Sequence, residues 1–463
     1  MVLSPSADRG PRASARITLL SVTVLGTMCN NVVNVPLRSI AKDFGQPLSA
    51  AVLCVGAFAL TLAVAMPFVG WLGDRWGQGR VLSGSVALML LAQVLAALAP
   101  SLPALIALRA LQGLACSAIP PMVMGLLGAF YPDRRLEVMG AWAAANGIGQ
   151  AIGPPVGGLV DDLWGWRVIF WLLAAFCLVV LVALRRCVPE APRRVTPLDV
   201  RGAVLLTGGV ALLLVGLTAF SQRNTAGLLV GGCLAAGVTM LVGYGVVSRR
   251  RETALVPLPV LLELRFVRST AAAFAQMFCL GTSLVALPLL FTGPLGMSTS
   301  LAGVLFLTLP AVMAVGAPMV SRASRIVGPR LVLRSGLGTL LAATVLTGVV
   351  ARGGSSTWVA VLLTALLLVL GFGMAMVQTP AAAGATSSAA GRYGAAVGLF
   401  NLVRFSGSAT AAAWVAWVYP TGHLLLLFGG CSVLAAGGLA VSWLGRDPVY
   451  TSGPGVSRTS GRG

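Results

Sequence analysis

The sequence predicts an all-α, polytopic membrane protein built from fourteen spanning helices. Three observations predict it. Only 10% of the 463 residues are charged, against about 25% in a soluble domain. Mean hydropathy is +0.92. Apolar runs recur along the whole chain, each long enough to cross ~30 Å of hydrocarbon as a helix. Few of the connecting loops have room for a folded domain, and the longest are Arg185–Arg201 and Arg249–Ser269.

The helices are expected over residues 17–37, 48–72, 81–100, 102–130, 139–161, 166–184, 202–221, 226–248, 270–291, 299–320, 331–350, 355–378, 394–418 and 422–444. The first apolar run continues past the length of a signal-peptide core without a small-residue cleavage site, so it reads as a retained helix. Residues 1–16 and 445–463 are rich in Ser, Pro, Gly and Arg and read as disordered ends. Two six-helix bundles, 17–184 and 270–444, are expected on either side of residues 185–269, which carry basic loops and the inserted helices 7 and 8. A short internal repeat supports two similar halves. Pro67–Leu82 aligns with Pro318–Leu333 at shared Pro, Val, Gly and Val-Leu positions, and duplicated halves are a common transporter plan.

The net charge of +20 does not indicate a nucleic-acid partner, because the basic residues sit in short loops between spans, as membrane orientation requires. With both ends of the chain in the cytoplasm, only Arg38, Lys42, Arg167, Arg223 and Arg352 fall in outer loops, and Arg109 and Arg404 lie within spans. That distribution predicts a multi-pass protein of the cell membrane, surrounded by lipid, with cytoplasmic termini. The eight cysteines mostly fall inside spans, where a thiol behaves as a small hydrophobe. One His and no clustered acidic or Cys/His residues argue against an enzyme and against a metal or other cofactor.

Between helices 2 and 3 the chain reads "GWLGDRWGQGR", Gly70 to Arg80, a polar turn between oily stretches. Gly70 and Gly77 permit a tight turn and close helix approach. Asp74 can accept hydrogen bonds from a helix N-terminus or a neighbouring Arg, in a contact that can break. Arg75 and Arg80 add cationic charge. In helix 5, Gly149, Gly153, Pro154, Gly157 and Gly158 combine four-residue small spacing with a kink-forming proline. Such a helix suits a moving seam between halves. In helix 4, "RALQG" places Arg109, Gln112 and Gly113 in a span, where a charge is costly unless it faces a cavity or a partner. In helix 13, Asn401 and Arg404 are three apart on one face.

The turn resembles the signature loop of the major facilitator superfamily. The helix 5 pattern resembles the antiporter signature of its drug-exporting branch, and the helix 4 and helix 13 patterns, with the count of fourteen, resemble its fourteen-span drug:proton antiporters. The resemblance implies export of small amphiphilic substrates by alternating access, with protons as the driving partner and with multidrug or antibiotic resistance, including self-resistance, as the outcome.

The chain departs from that family at two places. Gln78 and Gly79 stand where two basic residues usually follow the signature glycine, which leaves Arg80. In helix 1, "TVLGTMCNNVVNVPL" has Cys29 where the family places an Asp. Thr27, Asn30, Asn31 and Asn34 fall at i, i+3, i+4 and i+7, a polar stripe expected to line a substrate path. None of the twelve acidic residues lies in the middle of a span, and arginine does not titrate usefully. Proton coupling therefore rests on the resemblance, with Asp74, Asp161 or Asp162, or the substrate itself, as candidate proton carriers. The alternative is export of a neutral or anionic metabolite or natural product without classical proton coupling. The substrate path is expected to include Asn30, Asn31, Asn34, Arg109, Gln112, Trp142, Asn146, Gln276, Asn401 and Arg404. With no buried carboxylate to attract a cation, these groups favour a neutral or weakly anionic amphiphile.

Overall fold

In a computed structural model the described residues are 13–190, 199–221, 227–250, 257–297, 299–354 and 356–445. The expectation of disordered ends falls mainly outside them. Residues 13–16 are an exception. They are helical, and Arg16 pairs with Glu137 at 2.7 Å, which extends the first helix beyond its apolar run.

The long helices are α1 (Ala13–Asn31), α2 (Leu48–Trp76), α3 (Gln78–Ala97), α4 (Leu102–Phe130), α5 (Arg135–Trp164), α6 (Trp166–Cys187) and α7 (Val200–Ser221). They continue as α8 (Gly227–Arg250), α9 (Leu264–Thr292), α10 (Thr299–Val327), α11 (Pro329–Val350), α12 (Thr357–Ser387), α13 (Gly394–Val418) and α14 (Leu424–Ser442). Twelve of the described helices are long and apolar enough to cross a membrane. The other two, α5 and α13, have 30 and 25 residues but carry polar and small residues instead of a continuous apolar run.

Helix 4 breaks at Ser117 and Ala118, just before Pro120 and Pro121, and resumes at Ile119, because paired prolines fit only the first turn of a helix. Helix 1 ends earlier than expected. Its α-helical part stops at Asn31, Val32–Asn34 forms a 3₁₀ turn, and Pro36 starts a short helix, Leu37–Asp43. A 3₁₀ turn has three residues per turn instead of 3.6, so Asn34 leaves the face it was expected to share with Thr27, Asn30 and Asn31. It is exposed. The expected polar stripe therefore ends at Asn31.

The packing repeats with a shift of eight helices. The pairs α1·α5, α2·α4 and α3·α6 in the first half correspond to α9·α13, α10·α12 and α11·α14 in the second. The two halves meet through α2·α13 and α5·α10, and the same shift relates these seams to each other. The inserted α7 and α8 pack on one another, with α7 also against α2 and α13. At the turns of the internal repeat, Gly77 has φ 97° and ψ 129°, and Gly328 has φ 92° and ψ 142°. Both precede the first residue of the next helix, in a backbone region that is essentially glycine-only. We expect Gly77→Ala and Gly328→Ala each to cost about 1–3 kcal/mol, read as earlier thermal unfolding in detergent. Unchanged melting of both variants would contradict the assigned turn geometry.

At the end of the molecule opposite the signature turn, Asp43 accepts hydrogen bonds from Arg167 Nη1 and, at 3.2 Å, from Trp166 Nε1. The Arg167 bond is the main reason its carboxyl is held below the usual carboxylate range. A depressed pKa gives stability that is present above the unfolded value of about 3.9 and is lost as pH falls through the folded value. The pair is about two-fifths exposed, at 42% and 43%, and solvent screening limits it to under about 1 kcal/mol. Asp43→Asn is therefore expected to lower the melting temperature slightly at neutral pH and to match wild type in strong acid. Equal melting at neutral pH would overturn this reading.

Candidate substrate path and gate

Two arginines lie inside the bundle, and their surroundings differ. Arg109, on α4, is fully buried. Its Nη1 donates to the Cys29 carbonyl at 3.1 Å and to Gln112 Oε1 at 2.8 Å, and its Nε donates to the Cys54 carbonyl at 3.4 Å. The guanidinium stacks 4.3 Å from the Phe58 ring. Gln112 Nε2 donates to the Ala92 carbonyl and to Gln93 Oε1, each at 3.1 Å, and Gln93 Nε2 donates to the Cys29 thiol at 3.2 Å. This network ties α1, α2, α3 and α4 together. Gln93 and Phe58 were missed by the sequence reasoning. An isolated Gln in the otherwise apolar second half of the helix was the available signal for Gln93.

Arg404, on α13, is 1% exposed, and none of its three nitrogens has a hydrogen-bond partner. Its guanidinium carbon lies 5.1 Å from the Trp142 ring on α5 and 5.0 Å from the Phe405 ring. Trp142 is also buried, and its Nε1 has no partner. One turn before Arg404, Asn401 Nδ2 donates to the Val397 carbonyl at 3.0 Å and contacts Met124 Sδ at 3.4 Å, while its Oδ1 is unpartnered. Asn146 Nδ2 returns to the Trp142 carbonyl at 3.0 Å. Gln276 on α9 and Gln378 on α12 are buried with both amide atoms unpartnered. The ion pairs among the described residues are Arg16–Glu137, Arg80–Glu190 and Arg167–Asp43, and none reaches either buried arginine.

Of the other expected path residues, Asn30 is half-buried. Asn31 returns its Nδ2 to the Thr27 carbonyl at 2.8 Å and sits against Gly153. That contact belongs to a seam inside the first half. A Cβ on Gly149 would stand 1.8 Å from Thr27 Oγ1, and one on Gly157 would stand 2.1 Å from the Val32 carbonyl oxygen. The glycine face of α5, with Gly158 against Val35 and Pro154 inside the helix, packs on α1. It does not form the seam between halves. A different face of α5 does that, where Gly140 meets Ser321 and Gly147 meets Pro310 and Ala314 of α10. Helical spacing alone does not say which neighbour each face will meet.

The signature turn joins the halves directly. Asp74 is 7% exposed, and its Oδ2 accepts from the backbone N–H of Gly394, the first residue of α13, at 2.6 Å. Beside it α2 and α13 touch backbone to backbone. A Cβ on Gly70 would stand 2.2 Å from the Gly394 carbonyl oxygen, and one on Gly398 would stand 2.3 Å from the Met66 carbonyl oxygen. Arg135 Nη1 on α5 donates to the Thr386 carbonyl on α12 at 2.5 Å, a contact with no sequence signal. Arg75 lies 5.8 Å from the Trp71 ring. Arg80 pairs with Glu190 at 2.7 Å, both ends exposed.

The chain matches the model of the Major Facilitator Superfamily over residues 19–412. It belongs to that superfamily, and it is a transporter. The puromycin resistance protein pur8 of Streptomyces alboniger is 30% identical to this facilitator over 426 residues, 86% of this chain and 82% of that protein. The tetracenomycin C resistance and export protein of Streptomyces glaucescens is 29% identical over 308 residues, 65% of this chain. This facilitator spans 57% of that relative's length. Among solved structures, the human organic anion transporter MFSD10 (TETRAN) has a TM-score of 0.70 at 18% identity, covering 93% of this chain and 99% of that one. That likeness establishes the shared fold.

Proposed function

We propose that this facilitator exports small amphiphilic compounds of the antibiotic class across the cell membrane by alternating access, with both termini in the cytoplasm. The observation that carries the reading is the pairing of seams. At the signature-turn end, the halves are joined by the Asp74–Gly394 bond and the Arg135–Thr386 bond, both breakable without unfolding either half. With cytoplasmic termini this end faces the cytoplasm, and the joined seam supports reading it as a closed cytoplasmic gate. The resistance relatives supply the direction of transport. A hydrogen bond to a charged group contributes about 1.5–3 kcal/mol. Asp74→Asn is therefore expected to shift the gate toward opening and to cut export roughly tenfold.

The test is accumulation of a panel of neutral, anionic and cationic antibiotics in inside-out vesicles carrying a pH gradient. Accumulation abolished by collapsing the gradient supports proton antiport and sends the search for the carrier to Asp74, Asp161 and Asp162. Gradient-independent accumulation supports the alternative reading, export of a neutral or anionic compound without classical proton coupling. The position of Cys29 beside Arg109 favours that alternative. No accumulation of any compound rejects the exporter reading.

A further inference from the structure

We propose that Arg404 of α13 and Trp142 of α5 form a site for a monovalent anionic group, a carboxylate, phenolate or halide, where their side chains meet between the two halves. A guanidinium offers five N–H donors and no acceptor. Arg404 presents all of them inside the protein, with none of its nitrogens bonded to a protein acceptor. Trp142 adds an indole N–H that is likewise buried and unpartnered, on a ring 5.1 Å from the guanidinium carbon. Two neighbouring sets of orphan donors, neither bonded to an acceptor, describe a site for an acceptor-only group.

The alternatives for neutralising the charge are absent among the described residues. The carboxylates of α5, namely Glu137, Asp161 and Asp162, lie toward its ends. The carboxylate of α2, Asp74, is engaged at Gly394, ten residues and ~15 Å of helix from Arg404. On α9 the charged residues, Arg265 and Arg268, are cationic and lie in its first turns. The charged residue within α4 is Arg109, also cationic. The aromatic faces of Trp142 and Phe405 stabilise the cation by cation–π attraction, but they leave its hydrogen bonds unmade. An isolated buried charge is retained only where something pairs with it.

Trp142 belongs to the first half and Arg404 to the second, so an anion held by both bridges the seam. It would bind most tightly when the two helices are together and less tightly when they part. The exporter reading above then gains a substrate class, compounds with one ionised acid group. The binding claim itself does not depend on export.

The experiment uses the full-length protein in detergent, in gluconate buffer, with binding followed calorimetrically for sodium benzoate and for sodium chloride. Saturable binding of benzoate is expected, at least tenfold weaker in Arg404→Gln and partly restored in Arg404→Lys. Benzoate binding that chloride does not compete away assigns the site to an organic acid group. Competition by chloride, or chloride binding alone, assigns it to a free inorganic ion. Trp142→Phe keeps an aromatic face and removes the N–H, and it is expected to weaken binding severalfold, which tests the site should Arg404→Gln not fold. Absence of saturable binding of either anion in wild type, or binding unchanged in the folded variants, overturns the proposal. Loss of export with anion binding intact would count against the exporter reading alone.

Discussion

Replacing Gly398 with valine is expected to hold the two halves apart at the signature-turn end and to reduce transport more than any other single change considered. The first atom of the new side chain would lie 2.3 Å from the Met66 carbonyl oxygen, and that atom is helix backbone, with no rotamer to yield. Overpacking of this kind costs about 1–3 kcal/mol, which lowers the closed population roughly 5- to 150-fold. Gly70→Val should act the same way, because it meets the Gly394 carbonyl from the other side of the same crossing. Each half keeps its internal packing, so expression and melting should be close to wild type while export collapses. A cysteine placed at Ala317, which is buried in the neighbouring α5·α10 seam, should become rapidly alkylated in the Gly398→Val background. Wild-type export with a protected cysteine would refute the closed-gate assignment.

The second large effect is expected from Cys29→Asp. Cys29 lies within electrostatic reach of Arg109, and its thiol accepts from Gln93 in the Arg109–Gln112–Gln93 network. An aspartate there gives Arg109 a carboxylate partner and puts a titratable group into the first half of the membrane core. Wild-type export is expected to vary little with pH between about 6 and 8, because none of the acidic residues lies in the middle of a span and the one His, His423, precedes α14. The variant is expected to become dependent on the pH gradient. In detergent it should be at least as stable as wild type, since a buried charge gains a counter-charge. Arg109→Ala should instead lose about 2–4 kcal/mol, because it orphans Gln112 Oε1 and leaves a cavity beside Phe58. A pH-insensitive Cys29→Asp variant would show that Arg109 is purely a brace between α1, α2 and α4.

What the sequence revealed was local. The spans, the glycine-only turn at Gly77 with its counterpart at Gly328, and the helical placement of Asn401 and Arg404 all follow from patterns within one helix and its neighbouring turn. Contacts between elements were less legible. The partner of Asp74 is Gly394, 320 positions away, and motif spacing offered "a helix N-terminus" without saying which. Small residues signal close approach, and the glycine face of α5 therefore reads as the seam between halves. That approach is made to α1, and the seam uses Gly140 and Gly147. A period of 3.6 puts Asn34 on a polar stripe, and the 3₁₀ turn ahead of Pro36 takes it off. The difference between the buried arginines could not be read from composition either. Arg109 donates to carbonyls of two other helices and to Gln112 of its own, whereas Arg404 has only aromatic faces as partners.

The shortfall in apolar character of α5 and α13 has a consequence for how the chain is made. These two helices occupy equivalent places in the halves and carry the residues of the seams, so their polarity cannot be traded away. Neither reads as apolar enough to partition into lipid alone. Each is followed closely by a helix that does, α6 after the single residue Gly165 and α14 after a short turn. During synthesis, α5 and α13 should therefore wait at the translocon until the next helix emerges, and then enter the bilayer with it as a hairpin. A ribosome stalled before α6 should leave α5 extractable by alkali, and one stalled after α6 should leave both embedded.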